Sequence, residues 1–200
     1  MSHAIGLLLS VLGLIMLVRK ASATGDSLVL LTCTVFGLSL VVLYGASTLY
    51  HSTREPAKRI RLRVVDHAAI YVLIAGSYTP ITLLVLGGKL GWLIFGVSWA
   101  MAVTGITLKL FFTGHYKLLS TLMYVFMGWL IVFAIKPLIN NSSEEGLLWI
   151  VAGGIAYTVG AILYSIKQIP FNHAIFHLFV VAGSFSHYWS VYEYVIPAAV

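Results

Sequence analysis

The sequence predicts an all-α membrane protein: one seven-transmembrane helix bundle over residues 1–200, with the N-terminus cytoplasmic and the C-terminus outside. Three observations predict it. The first is composition. Of 200 residues, 60% are hydrophobic and 9% charged, and the mean hydropathy is +0.98. Soluble domains carry about 25% charged residues, so a globule of this composition would lack the polar side chains to cover itself, whereas lipid solvates it. The second is periodicity on the scale of a bilayer. Apolar runs of about 20 residues, enough to cross the hydrocarbon, occur at 3–19, 27–51, 66–86, 90–111, 118–138, 146–167 and 172–196. The third is charge asymmetry. With the N-terminus inside, the inward loops hold Arg54, Lys58, Arg59, Arg61, Arg63, Lys109, Lys117 and Lys167, eight of the twelve Lys and Arg. The outward loops hold Arg19, Lys20, Lys89 and Lys136. Basic residues concentrate on the cytoplasmic side of membrane proteins.

Each element follows in order. The opening "MSHAIGLLLSVLGLIMLVRK" has no basic residues ahead of its apolar stretch and no small-residue cleavage site. It therefore reads as a first span, not a signal peptide. The breaks "RKASATGDS", "STREPAKRIRLR", "LGGKLG", "FFTGHYK", "KPLINNSSEEG" and "KQIPFN" each combine charge with Gly, Pro, Asn or Ser, the residues that end helices. Pro80 in "GSYTP" predicts a kink in the third span. Pro170 precedes the seventh span and Asn172 is its expected N-cap. Gly153, Gly154 and Gly160 mark a small-residue face for close helix packing, and such faces also permit a homo-oligomer. No linker or repeat divides the chain, which predicts a single domain. Cys33 is the one cysteine. It excludes an intrachain disulfide and a C-x-x-C site and reads as a small core residue. The net charge of +6 is mainly a topology signal that also attracts anionic lipid headgroups. With the basic cluster on one short loop and no recognition fold, nucleic acid is not an expected partner.

The costly residues converge at one level. His51 ends the second run, Asp66 opens the third, and His173 and His177 open the seventh, all at the expected cytoplasmic face. Ser47 and His51 are four apart, as are His173 and His177, so each pair shares a helix face. Two imidazoles from one helix and a third from another suit zinc, which takes about four ligands and at a catalytic site keeps one position for water. Asp66 then holds that water or supports a ligand from behind, and Ser47 can hydrogen-bond the water or a substrate oxygen. A water so held has a pKa near 7, roughly nine units below bulk water. Plainer readings compete. A lone histidine at a helix end is ordinarily an interface residue, H-x-x-x-H alone is a weak motif, and Asp66 can be a helix cap or a partner for Arg63. Ionisable groups inside a membrane nonetheless mark function by default. His67 points about 100° from Asp66 and reads as packing. His187 lies ten residues beyond His177, about 15 Å along the axis, too far to share an ion. It reads as a buried hydrogen-bonded histidine able to line a cavity above the site, with Ser184 between. Tyr71, Ser77 and Tyr78 read as lining the bundle interior. Trp92, Trp149 and Trp189 read as belt or packing residues, and His115 as a loop residue.

The segments "ASTLYHS" at 46–52, "DHAAIYVLIAGSYTP" at 66–80 and "NHAIFHLFVVAGSFSHY" at 172–188, with "SHAIG" at 2–6, together resemble the haemolysin III family. That family is the bacterial branch of the progestin and adipoQ receptor superfamily, itself similar to the alkaline ceramidases. The resemblance implies a seven-helix bundle with the N-terminus inside and zinc on His51, His173 and His177. It also implies Asp66 reaching the metal through a water, with Ser47 beside it. Family members usually carry more chain before the first helix, often acidic and Asn-rich, which is nearly absent here. His3 matches a recurrent family position, and no ligand role is expected of it. Three functions follow as expectations. The first is a zinc-dependent hydrolase of a lipid amide or ester in the bundle cavity, of ceramidase type, with Asp66 and Ser47 catalytic. The second is a sensor of membrane state with a structural zinc. The third is cytolysis, as the family name implies. The expected location is the plasma (inner) membrane, multi-pass, with membrane lipids as partners.

Overall fold

The structure is a computed structural model that describes residues 2–112 and 117–199. His115 lies outside the described residues. The described residues form seven helical rods: α1 (Ser2–Ser22), α2 (Ser27–Ser52), α3 (Pro56–Pro80), α4 (Gly88–Phe112), α5 (Lys117–Gly128), α6 (Glu144–Ser165) and α7 (Asn172–Ser190). Three rods continue beyond their regular part. α3 runs on through a π-helical turn at Ile81–Leu86. α5 runs on through a 3-10 stretch at Leu130–Ala134 and a short helix at Ile135–Asn141. α7 runs on through a π turn at Val191–Val195. Six of the rods are long and apolar enough to cross a bilayer, from His3–Ser22 to Glu144–Ser165. The fold is therefore an all-helical multi-pass membrane bundle. The rod outside that set is α7, which carries three histidines along with Ser184, Ser186 and Ser190. Its polar side chains largely turn inward: His177, Ser184, Ser186 and Ser190 are all buried.

The closest neighbours are α6 with α7, α2 with α3, and α1 with α2. The main core joins α1, α2, α3 and α7 through Leu17, Phe36, Leu40, Tyr44, Leu73, Val180 and Val191. Cys33 is fully buried there, as a small core residue should be. Gly153 and Gly160 bring α6 close against α7, Gly153 lying under the His187 ring and Gly160 under Phe179. In lipid the drive for such contacts is packing rather than loss of water, which is why small residues sit where rods approach.

Local physics explains where the elements depart from expectation. α3 begins at Pro56, ten residues before the apolar run expected at 66. Proline is favoured in a first turn because its missing N–H has no partner there anyway, and Lys and Arg are good helix formers. Most of "STREPAKRIRLR" is therefore helix, and Asp66 lies well inside α3 and is not an N-cap. Asn172 is a second correction. Phe171 occupies the cap position in the left-handed region, φ 57°, so Asn172 falls in the first turn of α7. Its side-chain amide turns back to the end of α6, donating to the carbonyls of Tyr164 at 3.0 Å and Ile166 at 3.3 Å. Pro80 ends the regular part of α3, and the chain passes into the π turn, with Gly87 N–H reaching the Thr82 carbonyl at 3.0 Å. The break in α5 is satisfied from α3. The Tyr78 hydroxyl accepts from Ile131 N–H and donates to the Gly128 carbonyl, both at 2.9 Å.

Tyr78 thus carries two main-chain groups that helix geometry has released. Tyr78→Phe orphans both in a low-dielectric interior. Each unmet buried group costs about 1–3 kcal/mol, so a clear fall in thermal midpoint in detergent is expected. A melt unchanged from wild type would mean that the break finds other partners.

Candidate metal centre

The site forms at one end of the bundle, where α2 finishes, α7 starts and α1 starts. His51 is the penultimate residue of α2, while His173 and His177 occupy the first two turns of α7. One ring nitrogen from each of the three lies within 4.8 Å of the others. Nε2 of His173 and Nε2 of His51 are 3.1 Å apart. The ring centroids are separated by 5.0 Å for His51–His173, 4.9 Å for His51–His177 and 4.5 Å for His173–His177. Exposure falls across the trio, from exposed His51 through half-buried His173 to buried His177. The group therefore has one wet edge and one dry wall.

The donor set fits zinc. Zinc–imidazole bonds of about 2.0–2.1 Å in a tetrahedron separate neighbouring nitrogens by about 3.3 Å, close to the His51–His173 spacing. Three neutral nitrogens converging without intervening side chains also suit a borderline-soft divalent ion better than calcium or magnesium, which prefer oxygen.

Ser47 lies one turn deeper than His51 and is buried. Asp66, half-buried on α3, is outside the trio, and its carboxylate lies near the Ser47 hydroxyl. The tyrosines Tyr124 and Tyr164 stand near Asp66. No carboxylate–arginine pair forms between Asp66 and Arg63 among the described residues. His67 packs through its main chain, its carbonyl accepting from the Tyr124 hydroxyl at 2.9 Å.

One residue at the site carried no expected role. His3, in the first turn of α1, is 6% exposed. Its ring stacks on His177 with centroids 3.6 Å apart and planes inclined by 14°. It meets Tyr44 edge-on at 5.2 Å. Its Nδ1 is hydrogen-bonded to the Ser47 hydroxyl at 2.5 Å. A serine hydroxyl has one proton to give. If His3 Nδ1–H donates to Ser47, then Ser47 is free to donate to Asp66, and one chain of hydrogen bonds aims the carboxylate. The signal for His3 was present in the sequence. It is a histidine at the start of the first run, which the alternation of spans puts level with His51.

Beyond His3 a polar line runs up the bundle. The Tyr44 hydroxyl donates to Ser184 at 2.9 Å, and Ser184 also meets the Tyr157 hydroxyl at 2.9 Å. His187 packs edge-on against Tyr157 and bonds through Nε2 to the Ile150 carbonyl at 3.1 Å. His187 is thus a hydrogen-bonded histidine on a cleft shared with Ser77, Tyr78, Trp129 and Gly154, away from the trio. Tyr71, Ser77 and Tyr78 are all buried. Trp149 packs edge-on against Phe185 and tilted against Trp189, whereas Trp92 is largely exposed.

Helices long and apolar enough to cross a bilayer, with a histidine cluster at one end of the bundle, define a class of multi-pass membrane proteins, and comparison with known proteins gives the class its family. A family profile described as haemolysin-III related matches residues 1–188, so the chain belongs to the haemolysin III family. It is 46% identical to "Hemolysin-3" of Bacillus cereus over 99% of this chain and 90% of that one. It is 43% identical to the "Hemolysin-3 homolog" of Bacillus subtilis (strain 168), over 98% and 92%. A more distant relative is the human "Monocyte to macrophage differentiation factor", 29% identical over 96% of this chain and 81% of that protein.

The packing of His3 makes a measurable demand. Groups that orient metal ligands from behind typically contribute ten- to a hundredfold to metal affinity. His3→Ala is expected to weaken zinc binding about tenfold in chelator competition, with the fold retained, and His177→Ala to weaken it far more. Equal affinity in His3→Ala and wild type would assign the stacking to packing alone.

Proposed function

We propose that this protein is a zinc-dependent hydrolase of a membrane lipid amide or ester, acting at the cytoplasmic side of the plasma (inner) membrane. The reading takes all seven rods as spans, with the N-terminus inside and the C-terminus outside. The observation that carries it is the convergence of His51, His173 and His177 within 4.8 Å, at the same end of the bundle as Ser47 and Asp66. Zinc on three imidazoles supplies a Lewis acid and a water acidic enough to ionise near pH 7.

The chain's own residues supply the rest. Asp66, aimed by Ser47, is the general base: it takes a proton from the attacking water and hands it to the leaving amine or alcohol. Water thus adds to the acyl carbon, the amide or ester bond breaks, and the proton returns to the leaving group. As Asp66 takes up the water's proton, Ser47 turns its one proton to the charge that develops on the substrate oxygen, and His3 Nδ1–H holds the Ser47 lone pair in register. The dry wall formed by His177 and Tyr44 strengthens these interactions by excluding water. Substrate is a lipid because the site opens at the end of an apolar bundle, and ceramide-like amides are the first class to screen.

A second reading is favoured by one feature: the trio staples the end of α2 to the start of α7, elements far apart in sequence. A structural zinc at that staple would make the protein a non-enzymatic sensor or regulator of membrane state. Cytolysis, which the names of the Bacillus relatives suggest, ranks third. A multi-pass chain of this apolarity stays in its own membrane.

The tests separate these readings. Elemental mass spectrometry on detergent-purified protein should find near-stoichiometric zinc that disappears in a folded His173→Ala/His177→Ala variant. Protein that takes up no zinc when supplied would end the metal reading. Asp66→Asn should retain zinc yet lose turnover by about a hundredfold or more, the usual scale of acid–base catalysis. Full function in Asp66→Asn, with unfolding on histidine removal, would instead favour the structural zinc. Purified protein added to erythrocytes should release no haemoglobin.

A further inference from the structure

A basic groove lies next to the histidine trio and takes no part in the mechanism above. It has a volume of about 390 Å³ and is lined by Tyr50, Arg54, Pro56, Arg59, Ile60 and Arg63. Arg54 sits in the short link between α2 and α3. Arg59 and Arg63 are four apart on α3 and so share a face. The Arg59 guanidinium lies over the Tyr50 ring, 5.5 Å from its centroid. Tyr50 in turn packs on His51, with centroids 4.6 Å apart. The groove and the trio are thus joined through two ring contacts.

Charge in the groove is uncompensated. Lys58 is held by Glu55 at 2.7 Å. Among the described residues, none of Arg54, Arg59 and Arg63 pairs with a carboxylate. The Glu55 side chain does not cap the first turn of α3, so the open end of that helix adds partial positive charge to the same place. Depth agrees. The rod from Pro56 to Leu86 has 31 residues, about 46 Å at the helical rise, against a hydrocarbon core of about 30 Å. Its basic first turns therefore reach past the hydrocarbon, to the level of lipid headgroups.

We propose that this groove binds a phosphate-bearing anion beside the metal cluster, the phosphodiester headgroup of an anionic lipid being the form the membrane offers. Three guanidiniums with planar donor forks match phosphate oxygens in bidentate geometry. The aromatic floor of Tyr50 holds one fork in place and leaves its edge free to donate. Combined with the hydrolase reading, on which this consequence rests, the groove favours, among lipid amides and esters, those that carry a phosphate headgroup, by anchoring that headgroup next to His51.

The test is native mass spectrometry of the full-length protein in detergent, titrated separately with phosphatidylglycerol, oleate and inorganic phosphate. One molecule of phosphatidylglycerol should bind in preference to oleate. Arg59→Gln should weaken it about tenfold, the worth of one charge-assisted contact. Arg61→Gln removes the same charge from a residue outside the groove and should change little. Competition by inorganic phosphate at similar concentration would assign the site to soluble phosphate, and its failure to compete would assign it to the lipid headgroup. Equal losses in Arg59→Gln and Arg61→Gln, or oleate binding as well as phosphatidylglycerol, would reduce the groove to general surface charge and overturn the proposal. The titration is repeated on His173→Ala/His177→Ala. Binding kept there shows that the anion site stands whether or not the zinc reading does.

Discussion

In hydrocarbon, every main-chain N–H and carbonyl must find its partner inside the protein, because no water is there to take it. That constraint organises this molecule. It makes the chain helical, and it dictates how each irregularity is repaired. Hydroxyls in the rods fold back on their own helix, as Thr32 does to Leu28 and Val29, Thr79 to Ala75, and Thr82 to Tyr78. Where Pro80 prevents a regular bond, the helix widens into a π turn. Where α5 breaks, Tyr78 takes both released groups. Asn172 closes the end of α6 in the same way.

The same constraint explains why the polar side chains are gathered and not scattered. A histidine in a membrane rod costs least at a wet end or against another polar group. His51 is at the wet end, His177 lies under His3, and His3 is bonded to Ser47. From there Tyr44, Ser184 and Tyr157 carry hydrogen bonding inward through α2, α6 and α7. The far end of the bundle is closed differently. Lys20 lies over the Tyr192 ring at 4.0 Å and pairs with Glu193 at 3.4 Å. A half-exposed pair of this kind is worth under about 1 kcal/mol, so it fastens the end of α1 to the continuation of α7 only lightly.

The histidine end of the bundle also unites two kinds of chemistry within a few residues of sequence. "YHSTREPAKRIRLR" supplies His51 to the trio and Arg54, Arg59 and Arg63 to the neighbouring groove. The short link between α2 and α3 is what brings them together. A half-dry imidazole cluster and a solvated arginine groove differ in electrostatics yet share Tyr50 and His51 as a common wall.

Much was legible in the sequence because the bilayer imposes its own ruler. Apolar runs of spanning length locate the six rods long and apolar enough to cross, and the last run locates a seventh helical rod despite its histidines. The i,i+4 pairs place Ser47 with His51 and His173 with His177, since helix periodicity is local. What local periodicity does not carry had to come from the tertiary structure. The start of α3 was hidden because a helix of arginines beyond the hydrocarbon has no apolar run to announce it. Asn172 was read as the cap of its own helix, whereas packing at the α6–α7 corner makes it the cap of the previous one. His3 shows the division most plainly. In the sequence it is a single polar residue before an apolar run. Only the approach of α1 to α2 and α7 stacks it on His177 and joins it to Ser47, because contacts between rods depend on which faces meet, and no single rod encodes that.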